Sequence, residues 1–196
     1  MTIAEYVAGF VSIMIGLALA DLATSLQRLL RGGPKVKWDL LTPATALLVT
    51  AFVINVWWAM FGALNAIRSL SLATFIPDMI GLLLLFCLAS SALPDEVRDN
   101  TDLEHYYMEN RRRIWGLFAM YTLWTTAMIG WRGVSAGLSA GSMIGSIVPN
   151  LILASLMLLL VGTSRKWVHL LVIGLLLAIT AYAWLPQELV RSGQNG

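Results

Sequence analysis

Charge is what this sequence has least of. Thirteen basic and eleven acidic residues are spread over 196 positions, or 12% charged, where an ordinary soluble domain carries about 25%. So few charges cannot coat a water-soluble globule whose residues are 58% hydrophobic. Cysteine is nearly as scarce: Cys87 stands alone, so no intramolecular disulfide forms and a secreted disulfide scaffold is excluded. Histidine occurs only as His105 and His169, and neither has a sequence neighbour that would complete a zinc or haem site. Lysine is confined to Lys35, Lys37 and Lys166, all outside the long apolar runs, which leaves no mid-membrane amine for a retinal Schiff base. There is no glycine-rich phosphate loop, no potassium-filter sequence and no series of arginines at every third position. No nucleophile–base pair or metal constellation is visible, so nothing points to an enzyme, a catalytic residue, a metal, a cofactor or a nucleic-acid partner. The mean hydropathy of +0.76 excludes a disordered chain. What remains is an integral membrane protein whose first partner is the lipid bilayer.

A helix needs about 20 mostly apolar residues to cross a bilayer. Six stretches meet that length: residues 7–30, 42–67, 72–93, 114–134, 141–163 and 167–185. The expected fold is all-α, a single domain over residues 1–196 in which six transmembrane helices form one bundle, with a cytoplasmic segment at 94–113 between the third and fourth. Lysine and arginine set the orientation. Arg28, Arg31, Lys35 and Lys37 follow the first span, Arg98 and Arg111 to Arg113 follow the third, and Arg165 and Lys166 follow the fifth. Only Arg68, Arg132 and Arg191 lie on the other side. This bias places the odd-numbered connections in the cytoplasm and both termini outside, in a multi-pass membrane protein. The first basic residue is Arg28, so the start of the chain lacks the basic region of a signal peptide and reads as a retained helix.

Local signals mark the helix ends. Gly32-Gly33-Pro34 stops the first helix, because glycine permits a left-handed cap and proline prevents continuation. Thr42-Pro43 reads as a start for the second. Thr101 to Glu104 reads as a capping box that starts the fourth helix at Asp102, about 12 residues or roughly 18 Å before its membrane entry. Leu93-Pro94-Asp95-Glu96-Val97 resembles Leu185-Pro186-Gln187-Glu188-Leu189, a hint of an inverted three-plus-three repeat that Pro43 and Pro149 do not share.

Two segments carry a resemblance. Residues 12–31, with Gly16, Asp21 and Arg28 among them, and Pro94-Asp95 followed by 102–112, with its Tyr-Tyr-x-x-Asn-Arg-Arg run, are similar to stretches in a family of small, uncharacterised bacterial multi-spanning membrane proteins. The resemblance implies a bacterial inner-membrane protein and assigns no functional residue.

Candidate site residues follow from the cost of polarity in lipid. Asp21 is the one acid well inside a span, so it faces the bundle interior, finds a cation such as Arg28 two turns along the same helix face, or is protonated. Cys87, Tyr121, Thr125 and Ser155 fall at about the same depth and could complete a polar layer. Gly137, Gly141 and Gly145 recur every fourth residue, as in close helix packing, and Asn55 reads as helix-packing glue. Pro149 strips the Gly145 carbonyl of its hydrogen bond, with Asn150 beside it, so a bend and an exposed carbonyl are expected there. Together Asp21 and the broken fifth span suggest a small channel or transporter for an ion or small solute, in a homo-oligomer. The alternative is a non-transporting scaffold or sensor that docks a soluble cytoplasmic partner through 95–113.

Overall fold

A computed structural model describes residues 3–64, 72–97 and 100–184. Six helices make up the described fold: α1 (Ile3–Gly32), α2 (Leu41–Leu64), α3 (Leu72–Ser91), α4 (Leu103–Ser135), α5 (Ala140–Gly162) and α6 (Lys166–Trp184). Two two-residue strands, β1 (Val36–Lys37) and β2 (Thr101–Asp102), pair in parallel between connections. The fold is therefore all-α apart from this short ladder. The segments 65–71 and 185–196, with the second helix's expected end and the sixth span's last residue, lie outside the described residues.

Helix α1 shows how the apolar residues sort. Val7, Val11, Ile15, Ala18, Leu22, Ser25 and Leu29 are buried, and their spacing of three and four is one helical face. Ile13, Leu17, Leu26 and Leu30, on the other face, are exposed. Large exposed apolar side chains recur on every helix, among them Leu47, Leu83, Ile129, Ile144 and Leu171. A soluble protein rarely leaves such continuous apolar surface bare. In the five helices long and apolar enough to cross a bilayer (α1, α2, α3, α5 and α6), only 17–33% of the apolar window is buried in the bundle. Lipid must cover the rest, and the chain is a multi-pass membrane protein by length and composition.

Helix α4 is the least apolar and packs on α2, α3 and α5. Its threonine hydroxyls are satisfied within the helix: Thr122 donates to Phe118 O (2.9 Å), Thr126 to Thr122 O (2.6 Å) and Thr125 to Tyr121 O (3.1 Å). Self-bonded threonines remove the main cost of placing this helix in an apolar setting. At 33 residues α4 spans about 50 Å, more than a bilayer core of about 30 Å. Its first ten residues do not stand free. Leu103 and Tyr107 are fully buried, so the start of α4 is packed into the end of the bundle.

That end is cross-tied. The Asp39 carboxylate accepts from the Leu41 and Thr42 amides (3.2 Å each) and caps α2. Thr42, expected as the cap, instead donates its hydroxyl to Leu103 O (2.7 Å) and joins the starts of α2 and α4. Asp102 caps α4 by accepting from the His105 amide (3.1 Å), one residue beyond the Thr101 position read from the capping pattern. Arg28 donates to Asp95 O (2.8 Å), Arg111 to Thr163 O (3.1 Å), and Lys166 pairs with Glu104. Gly32 is required by this crowding: a Cβ there would sit 2.8 Å from both Val36 Cγ2 and Val97 Cγ1. Gly33 follows with φ +53°, the left-handed turn that ends the helix. The three odd-numbered connections thus share one face, called the basic face below, and the helices alternate in direction.

The two halves of the chain pack differently. Helix α1 packs on α2 and α3, whereas α5 packs on α4 and α6 packs on α2. The three-plus-three repeat has no counterpart in this packing.

Candidate functional site

The residues singled out from sequence do not form one site. Asp21 on α1 is half-buried and accepts from Ser90 Oγ on α3 (2.6 Å). Arg28 turns away to the Asp95 carbonyl, so the expected Asp21–Arg28 pairing is replaced by a hydroxyl–carboxylate bond between helices. Cys87 and Ser155 are exposed on the bundle surface, and Ser155 bonds Leu151 O of its own helix (2.8 Å), so the expected polar layer does not assemble. Helix α5 runs continuously through Pro149, and Asn150 Nδ2 donates to Ser146 O (2.9 Å) rather than to the Gly145 carbonyl. A Cβ at Gly141 or Gly145 would meet nothing within 4 Å, and Gly137 (φ +66°) is a turn residue before α5. This stripe therefore packs on no described helix of its own chain. Asn55 is half-buried and makes no hydrogen bond among the described residues.

Tyr121 is the exception. It lines a cavity of about 150 Å³ between α2, α3 and α4, with Met60, Asp78, Gly81, Trp124 and Arg132 among its walls. The lining positions on α4, from Tyr121 through Trp124, Thr125 and Met128 to Arg132, are one helical face. Tyr121 lies about 16 Å from Arg132 and about 12 Å from Arg113 along the axis, near the middle of the uncharged stretch. At the far end from the basic face, Arg132 Nη2 donates to Asp78 Oδ1 (2.7 Å), an ion pair between α4 and α3 with side chains 53% and 29% exposed. The two lie 54 positions apart in the sequence, and nothing local to either segment shows that their helix faces meet. Trp124 Nε1 donates to Pro77 O (3.0 Å) and holds the same wall together. Tyr121 is 7% exposed, and its hydroxyl makes no hydrogen bond among the described residues. A hydroxyl in a cavity wall with no protein partner is free to bond a guest.

Below Tyr121 the bundle is closed by aromatic rings. Tyr121 meets Phe52 edge-on (5.3 Å), Phe52 meets Phe118 (4.6 Å), and Phe118 stacks on Trp115 (5.8 Å). The column then turns polar: Trp115 Nε1 donates to the Tyr107 hydroxyl (2.8 Å), which lies 2.6 Å from His169 Nδ1. The directions follow from groups with a single role. The indole N–H can only donate, and the Thr163 carbonyl, 3.1 Å from His169 Nε2, can only accept. Nε2 therefore carries the proton, Nδ1 accepts, and the Tyr107 hydroxyl donates to it. Trp115, Tyr107 and His169 are each 0% exposed. Burial pushes the Tyr107 phenol up to about 12, the largest cause, and the Trp115 hydrogen bond works against it. Thr45 Oγ1 faces Tyr107 but is buried without a hydrogen-bond partner. This network joins three chain segments, and only the Tyr-Tyr-x-x-Asn-Arg-Arg run hinted at it, since it supplies Tyr107 and Arg111.

Among the described residues no three His, Cys, Asp or Glu side chains gather where they could share a metal ion. Compared with protein families, curated proteins and solved structures, the chain matches none.

Proposed function

We propose that the chain is a small-solute transporter of the inner membrane that loads its solute from the extracytoplasmic side into the α2–α3–α4 cavity. The basic face is cytoplasmic on this reading, which follows the lysine and arginine bias, and both termini are extracytoplasmic. One observation supports the reading: a cavity lined from Arg132 to Tyr121 lies between α2, α3 and α4, with a packed aromatic column running on from Tyr121. Transporters commonly hold solute near the midplane, and a column of large rings is what an inner barrier needs. The site uses Tyr121, and not Asp21, Arg28, Gly145 or Asn150.

Uptake of labelled ions and short organic solutes into proteoliposomes tests it. Gly81→Leu, which fills the cavity, should abolish uptake, while Asp21→Asn should keep it. Uptake lost in Asp21→Asn and kept in Gly81→Leu would move the site to the α1–α3 contact.

A second reading has its own support. The described parts of 95–113 are tied to α1, α2 and α6, which makes a stable platform for a soluble partner. The exposed small-residue face of α5 is where we place the contact of a homo-oligomer.

A further inference from the structure

We propose that the solute of this cavity is a short zwitterion whose ammonium and carboxylate sit on neighbouring carbons, as in an α-amino acid. The inference rests on the cavity being the binding site. Its lining includes the Asp78–Arg132 pair, one charge from each helix, 2.7 Å apart. A monoanion that engages Arg132 displaces Asp78 and strips that carboxylate of its cation. A monocation at Asp78 does the reverse to Arg132. Either exchange leaves one charge without its ion partner, a modest cost for side chains 53% and 29% exposed. A zwitterion gives each side chain a new partner and leaves the net charge of the site unchanged. Because the two groups stand so close, the opposite charges of the ligand must also be close. The walls beside the pair are mostly apolar, with Met60, Leu82, Trp124 and Met128, and Tyr121 is the lining residue that adds a phenol. The ligand tail is therefore short and apolar, with room for one polar atom at its tip. A cavity of this volume takes a guest of roughly six to eight heavy atoms, since one of similar size holds benzene.

The test titrates the full-length protein in detergent with 2-aminobutanoate and, separately, with butanoate, propylammonium and butanamide. Thermal midpoint and tryptophan fluorescence, to which Trp124 contributes, report binding. The zwitterion should bind more tightly, by up to about fivefold, than any match lacking one or both charges. Asp78→Asn and Arg132→Gln, near-isosteric changes at partly exposed positions, should each reduce it to the level of those matches. Gly81→Leu should remove binding altogether. If butanamide or a singly charged probe binds as tightly as the zwitterion and Gly81→Leu blocks it, the zwitterion class is overturned and the cavity site stands. If no probe binds the wild type, or Gly81→Leu leaves binding unchanged, the cavity site falls and the class falls with it.

Discussion

Tyr107 shows what one buried hydroxyl can organise. It accepts from Trp115, donates to His169, and lies where the α4 start meets the α6 start. Tyr107→Phe leaves the indole N–H and the imidazole nitrogen unpartnered, at a cost of about 1–3 kcal/mol. Its folded-state pKa is raised to about 12 from an ordinary 10.0. The stabilisation from the protonated phenol is therefore complete below pH 10 and is lost as pH rises through about 12. The thermal midpoint of the wild type should fall across that window, and Tyr107→Phe should start lower and fall less. Tyr106, also raised by burial, stays in both proteins and sets the common background. Equal curves for the two proteins would contradict the network. Thr45 is the opposite case, a buried hydroxyl with no partner. Thr45→Val keeps the shape and removes the orphan, so chemical denaturation should show a gain of up to about 1 kcal/mol; a loss would mean that the hydroxyl is used.

At the scale of the element, α4 explains why some of this protein was legible and some was not. Helix ends were readable because capping and breaking are local: Gly32-Gly33-Pro34 ends α1 as expected, and the start of α4 differs from the expected cap by one residue. The apolar runs gave the helices because length and hydropathy are properties of a single segment. The sites were misplaced because which face of a helix meets which neighbour is a property of two segments. Asp21 reads as a residue that faces the interior, finds a cation or is protonated, and the serine that bonds it is on α3, 69 positions away. Asp78 and Arg132 are 54 positions apart on adjacent helices. With Arg132 more than half exposed, their pair contributes little to stability. A double-mutant cycle of Asp78→Asn and Arg132→Gln should give a coupling of about 0.2–1 kcal/mol. Coupling of several kcal/mol would make the pair a structural clamp rather than part of a binding site.

At the scale of the whole molecule, the helices alternate and the three basic connections meet on one face. That arrangement agrees with the spacing of apolar and basic residues, but the side of the membrane rests on the charge bias alone. A fluorescent reporter that matures only in the cytoplasm should be bright when inserted near Lys35 and dark when fused at Gly196. The reverse would invert the orientation of the cavity while leaving its geometry intact.

The central claim is that the α2–α3–α4 cavity opens to the extracytoplasmic side and reaches mid-membrane. Thr122 and Thr125 lie one turn apart on α4, the first buried against Met157 and the second lining the cavity. In a Cys87→Ser background, Thr122→Cys and Thr125→Cys are near-isosteric probes of those two environments. A small, charged, membrane-impermeant thiol reagent added outside intact cells should modify the cysteine at position 125 and spare the one at 122. Equal protection of both, or modification at 125 only from the cytoplasmic side, would contradict an outward-open cavity.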